Sequence, residues 1–186
     1  LMPGSRRSEV GRLGELFLEF IKVVSQRYPD IVFVIPVANK SVDKQLKVIF
    51  RKYNNLPIRF IDGSQARDTL ASADLAVLAS GTAALEAALV ATPMIVVYKL
   101  SWYTYLFARL TARVQHVSMP NHLTPEPLVP ELLQGNANLD NLLNIAVPYI
   151  EDSEVRNRQS KALSTIAPSL RRNSGELAAL ALSKLL

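Results

Sequence analysis

Apolar residues recur along this chain in two alternating styles. Short continuous runs at residues 31–35, 75–79 and 94–98 have the form of strands buried on both faces of a parallel sheet, and Ile58-Arg59-Phe60-Ile61 reads as a further short strand closed by Asp62-Gly63. Between them the apolar spacing lengthens to three and four. Val10, Leu13, Phe17, Phe20, Ile21 and Val24 predict a helix that leaves the Pro3-Gly4-Ser5 turn, is capped by Ser5 or Ser8, and ends near Tyr28 before Pro29. Leu46, Val48, Ile49 and Phe50, set among Lys, Asp and Gln, predict an amphipathic helix over 41–53. A short helix is expected at 65–72, and an Ala-, Leu- and Glu-rich one at 83–91. Further on, a helix over 102–113 opens with Trp102, Tyr103, Tyr105 and Phe107, and a last short strand is expected over 114–119. A loop with four prolines covers 120–130, a small element lies at 131–134, and helices at 139–151, 155–166 and 175–186 close the chain.

Strands that alternate with helices predict an α/β fold: a Rossmann-like parallel sheet with helices on both faces, a single domain over 1–186. Such sheets bind ligands outside the carboxyl ends of their strands. The turns at 3–6, 62–64 and 80–82 belong to that edge, and the segment after Tyr98 and the 120–134 loop are expected to reach it. Ser80-Gly81-Thr82 joins the apolar run 75–79 to a helix, with Ser80 or Thr82 as candidate cap. Free N–H groups and the positive end of a helix dipole at such a turn suit a phosphate, and glycine lets it approach the backbone. A capped αβ turn without ligand has the same local pattern. Arg6 and Arg7 fall in the first turn of the first helix, where cations are unfavourable unless an anion binds nearby.

Composition narrows the chemistry. The chain has 186 residues, 49% hydrophobic and 20% charged, which is enough for one domain with a full core. It has no cysteine, which excludes disulfides and thiolate metal sites, and only two histidines, His116 and His122. No metal site and no cofactor are expected. A net charge of +5 favours anionic partners. Arg156, Arg158, Lys161, Arg171 and Arg172 read as a solvated face, and no nucleic-acid motif accompanies them. No apolar run reaches the roughly 18 residues of a membrane span.

Leu-Met-Pro-Gly-Ser-Arg (1–6), Leu-Ala-Ser-Gly-Thr-Ala-Ala-Leu-Glu (78–86), Pro-Met-Ile-Val-Val-Tyr-Lys (93–99), Val-Ser-Met-Pro-Asn (117–121) and Val-Pro-Glu-Leu-Leu-Gln (129–134) occur in a telling order. With these motifs the chain resembles the C-terminal half of the lipid-A-disaccharide synthases. The resemblance implies one half of a GT-B glycosyltransferase, with an N-terminal acceptor domain outside this chain. It implies a hexosyltransferase at the cytoplasmic face of the bacterial inner membrane, peripheral to an anionic surface. The implied reaction transfers 2,3-diacylglucosamine from its UDP derivative to 2,3-diacylglucosamine 1-phosphate, giving UDP and the lipid A disaccharide 1-phosphate. This half would bind UDP and be inactive alone, since the general base is expected in the other half.

By the same resemblance, Ser5, Arg6, Ser80, Gly81, Thr82 and Glu86 would hold the UDP diphosphate. Arg6 would neutralise charge on the leaving group. Asn121, Glu131 and Gln134 would meet ribose or sugar hydroxyls, although Glu86 also reads as an ordinary helical carboxylate. The family has a small Ala-Gly pair where this chain carries His122-Leu123-Thr124-Pro125-Glu126-Pro127, a stiffening expected to weaken donor binding. The aromatic start of the 102–113 helix reads as core, or as a membrane-facing patch flanked by Lys99, Arg109 and Arg113. Leu177, Leu180, Ala181, Leu185 and Leu186 could dock on the other domain or form a homodimer. Two other readings remain at this level: another UDP-sugar GT-B enzyme, an epimerase or a peptidoglycan glycosyltransferase, and a non-catalytic binding module.

Overall fold

The apolar runs form parallel strands, covered for the most part on both faces except over 58–62, where Arg59, Phe60 and Asp62 are exposed. The computed structural model describes residues 1–51, 53, 55–100, 116–170 and 183. In it, β1 (Phe33–Val37) pairs in parallel with β2 (Ile58–Asp62), and β3 (Ala76–Ala79) pairs in parallel with β4 (Met94–Tyr98). A short β5 (Glu131–Leu133) adds to β4, with Val96 opposite Glu131. Leu1 and Met2 link the two sheets. Met2 donates to Val77 O at 2.9 Å and accepts from Ala79 N at 2.8 Å, while the Leu1 amine donates to Val34 O at 2.7 Å. The order across the molecule is therefore β2, β1, the Leu1-Met2 segment, β3, β4, β5.

Side chains of a strand alternate between faces, and the core follows that rule. Val77, Ala79, Ile95 and Val97 join one cluster with α1 (Arg7–Arg27), α2 (Lys40–Phe50) and the helix Leu139–Glu151. Their neighbours Ala76, Leu78, Met94 and Val96 join a second cluster with Leu70, Ala84, Ala87, Ala88, Leu163 and Ile166. Those partners come from α3 (Ala66–Ser72), α4 (Thr82–Leu89) and the helices Ser153–Leu163 and Ile166–Leu170. The expected α/β, Rossmann-like architecture with helices on both faces of parallel sheets is what the chain adopts. Counting the four-residue helix α5 (Met119–His122), the last three helices are α6 (Leu139–Glu151), α7 (Ser153–Leu163) and α8 (Ile166–Leu170).

Several boundaries differ from expectation. The first strand starts at Phe33 rather than at residue 31, because Ile31 N–H turns back to Tyr28 O and the ladder opens with Phe33 N–H on Pro57 O. The strand expected over 114–119 is not formed at its described end. Residues 119–122 are helical instead, with proline in the first turn, where a missing N–H costs nothing. The single helix expected over 155–166 is α7, capped by Asp152, followed by the separate α8. The expected helices at 102–113 and 175–186 fall outside the described residues, Ser183 apart.

Candidate functional site

The turns that leave the carboxyl ends of the strands lie side by side. The first, Pro3-Gly4-Ser5-Arg6, continues from Met2, which pairs with Leu78 on β3, the strand that ends just before Ser80. Neither Ser5 nor Ser8 caps α1. The cap position is Arg6, and the Glu9 carboxylate folds back to accept from Ser5 N–H at 2.9 Å and Arg6 N–H at 3.2 Å. This is the carboxylate half of a capping box. Gly4 has φ +124°, and a Cβ there would lie 2.5 Å from Glu9 Cβ, so glycine is required on both counts. The turn leaves the Arg6 side chain exposed and without an ion pair among the described residues.

Asn39, at the end of β1, ties the next turn to this one. Its Oδ1 accepts from Ser41 and Val42 N–H as the cap of α2, and its Nδ2 donates to Ser5 O at 3.0 Å. A cavity of about 520 Å³ opens between the ends of β1 and β2, lined in part by Asn39, Lys40, Asp62 and Ser64. Asp62 accepts from both the N–H and the hydroxyl of Ser64, which holds its carboxyl below the usual range.

The third turn is Ser80-Gly81-Thr82. Gly81 occupies the cap position of α4 at φ +157°, and no side chain caps this helix. The expectation that Ser80 or Thr82 caps it is corrected. Ser80 Oγ instead donates to Val117 O at 2.7 Å, and Thr82 is the exposed first helical residue. No side chain therefore occupies the amino end of α4 among the described residues. A Cβ on Gly81 would meet nothing within 4 Å, so the approach to this turn is open. That is the geometry in which backbone N–H groups and the dipole meet an anion. Glu86 lies one turn further along α4, exposed.

Ser80 also connects the turn to the 117–134 region. There the Glu131 carboxylate accepts from Val117 N–H, Ser118 N–H, Ser118 Oγ and Asn121 Nδ2, at 2.6 to 3.0 Å. Asn121 is 4% exposed; its Oδ1 accepts from Leu128 and Val129 N–H, and its amide donates to Val129 O and Glu131. The hydrogen-bonding positions of both residues are thus occupied by protein, and they shape the loop that carries His116 and His122. These two rings meet edge to face, 6.5 Å apart. Gln134 takes φ +50°, uncommon for a residue with a side chain, and accepts from Leu100 N–H at 3.0 Å just past β4. Of the nine candidates, Ser5, Arg6, Ser80, Gly81 and Thr82 therefore line adjacent turns. Asn121, Glu131 and Gln134 brace the loops beside them.

The sequence reading passed over Asn39 and the Ser80–Val117 bond. Asn39 carried a signal, an Asn directly ahead of an amphipathic helix. The Ser80 partner carried none, since it is a backbone carbonyl 37 residues away. No cluster of metal-ligating residues occurs among the described residues, and no described helix is long and apolar enough to cross a membrane.

A family model for lipid-A-disaccharide synthetase matches residues 1–185. The chain belongs to the lipid-A-disaccharide synthetase family. A lipid-A-disaccharide synthase of Pseudomonas putida is 40% identical over 186 residues, all of this chain and 48% of that protein. One of Dechloromonas aromatica is 36% identical over 182 residues, 96% of this chain and 47% of the relative. One of Psychromonas ingrahamii is 40% identical over 151 residues, 81% and 39% respectively. The chain spans about half the length of the curated relatives it matches.

Proposed function

We propose that this chain supplies the UDP-binding half of a lipid-A-disaccharide synthase. The reaction transfers 2,3-diacylglucosamine from its UDP derivative to 2,3-diacylglucosamine 1-phosphate, releasing UDP. The observation that carries the reading is the open, uncapped amino end of α4 beside the Arg6 turn. A UDP diphosphate there meets the N–H groups of Gly81 and Thr82 and the Thr82 hydroxyl. Arg6, fixed at its backbone by Glu9 and without an ion pair at its guanidinium among the described residues, offers a charge-assisted contact that strengthens as the leaving group gains charge. The cationic role falls to Arg6, so the scheme assigns no metal and no cofactor. Ser80 acts through its bond to Val117, holding the loop against the turn. Asn121, Glu131 and Gln134 set the loop geometry in which ribose or sugar hydroxyls are met. The general base and most acceptor contacts belong to the half of the relatives that this chain does not span. We place the enzyme at the cytoplasmic face of the inner membrane, drawn to anionic lipid by the chain's net charge of +5.

Calorimetric titration of UDP tests the proposal. The chain binds UDP without EDTA sensitivity, Arg6→Ala weakens binding about tenfold, and Thr82→Val weakens it several-fold, as loss of a charge-assisted and of a neutral hydrogen bond would. Absence of binding at millimolar UDP, in a chain that melts cooperatively, would sink the site.

A further inference from the structure

Two turns of the rim are joined by one side chain, and the peptide unit it meets is the one that carries Arg6. The Ser5–Arg6 peptide is planar and moves as one piece. Its N–H, on Arg6, donates to the Glu9 carboxylate at 3.2 Å, and its C=O, on Ser5, accepts from Asn39 Nδ2 at 3.0 Å. Among the described residues no other group donates to Ser5 O. Ser5 and Arg6 are both exposed, so packing does not orient this unit in place of the two bonds. Glu9 holds one end from within α1. Asn39 holds the other from 34 residues further along the chain.

The chemistry at position 39 is demanding. Asn39 Oδ1 accepts from Ser41 and Val42 N–H, both at 3.0 Å, so that end of the side chain must be an acceptor. The other end faces a carbonyl and must be a donor. A primary amide supplies both. Aspartate and serine cap a helix as well as asparagine does. Ionised aspartate, however, has no proton for Ser5 O, and serine is a bond too short to span both partners. The cap of α2 alone therefore does not account for an amide here.

We infer that Asn39 is a positioning residue for Arg6. With Glu9 it fixes the plane of the Ser5–Arg6 peptide, and that plane sets the direction in which the Arg6 side chain leaves the backbone. The inference rests on the reading of Arg6 as the cation that meets the UDP diphosphate. It adds that the affinity Arg6 supplies depends on the junction between β1 and α2. A guanidinium that has to be re-aimed at each binding event loses part of its contact energy to ordering.

Calorimetry with UDP on four versions of the chain tests this: unaltered, Asn39→Ser, Arg6→Ala and the double substitution. Asn39→Ser keeps a cap on α2 and removes the reach to Ser5 O, so Tm stays within about 3 °C of the unaltered chain. UDP binding weakens about three- to fivefold, the size of one exposed hydrogen bond. The same substitution has no effect where Arg6 is already alanine. That non-additivity follows from a positioning role and not from a general structural one. Asn39→Thr, a second neutral cap without the reach, repeats the pattern. An equal loss in both backgrounds overturns the inference. So does unchanged affinity in Asn39→Ser beside a weakened Arg6→Ala; the donor site then stands and only the role of Asn39 falls. An unaltered chain that does not bind UDP removes the donor site, and the role of Asn39 with it.

Discussion

Gly4 and Glu131 decide how two of the rim's loops are held. A methyl group at position 4 enters the space of Glu9 Cβ and carboxylate, at a φ of +124° that L residues rarely adopt. Gly4→Ala is expected to destabilise by about 1–2 kcal/mol, read as a lowered urea midpoint at unchanged m. It should also weaken UDP binding, because the Arg6 turn must move. Glu131 accepts from donors on Val117, Ser118 and Asn121. Glu131→Gln places an amide NH₂ against donors and leaves some of them unmet, with an expected loss of about 1–3 kcal/mol in urea unfolding. Its charge could be read from the sequence, but its role could not, since its partners lie 10 to 14 residues earlier.

At the level of elements, α7 is attached to the sheet through one polar side chain. Gln159 accepts from Met94 N–H and donates to Met94 O and Leu128 O, filling the part of the β4 edge that β5 is too short to reach. Gln159→Leu keeps the volume and strips these bonds, leaving buried backbone groups unpaired. A loss of roughly 2–4 kcal/mol is expected in chemical denaturation, against less than about 1 kcal/mol for Glu151→Ala at the exposed Arg27–Glu151 pair. The apolar periodicity located α1, α2, α3 and the strands β2, β3 and β4 closely. It misjudged 114–119 at its described end, where the Glu131 carboxylate gathers the backbone of Val117 and Ser118 ahead of α5. A tertiary contact from a later strand outweighed the local preference of an apolar run.

For the whole molecule, pH bears on stability through Asp62, whose carboxyl is held low by the hydroxyl and the N–H of Ser64. Its lowered carboxyl lends stability above the ordinary aspartate range that fades as pH falls through its folded value, a trend that Asp62→Asn should remove.

The sequence by itself determined the class of the fold and the place of the rim. Alternating buried strands and amphipathic helices admit few other arrangements, and in a parallel sheet every strand delivers its carboxyl end to one edge. Its motifs also sufficed to indicate the family, because short turns with special backbone needs, such as Pro3-Gly4-Ser5-Arg6 and Ser80-Gly81-Thr82, are written locally. The tertiary structure alone decided which polar groups remain free for a ligand. Ser80, Asn121, Glu131 and Gln134 are all polar residues near the rim, yet each is committed to a partner at least seven residues away. Hydrogen-bonding capacity is finite, and how it is shared depends on which distant segments the fold brings within 3 Å.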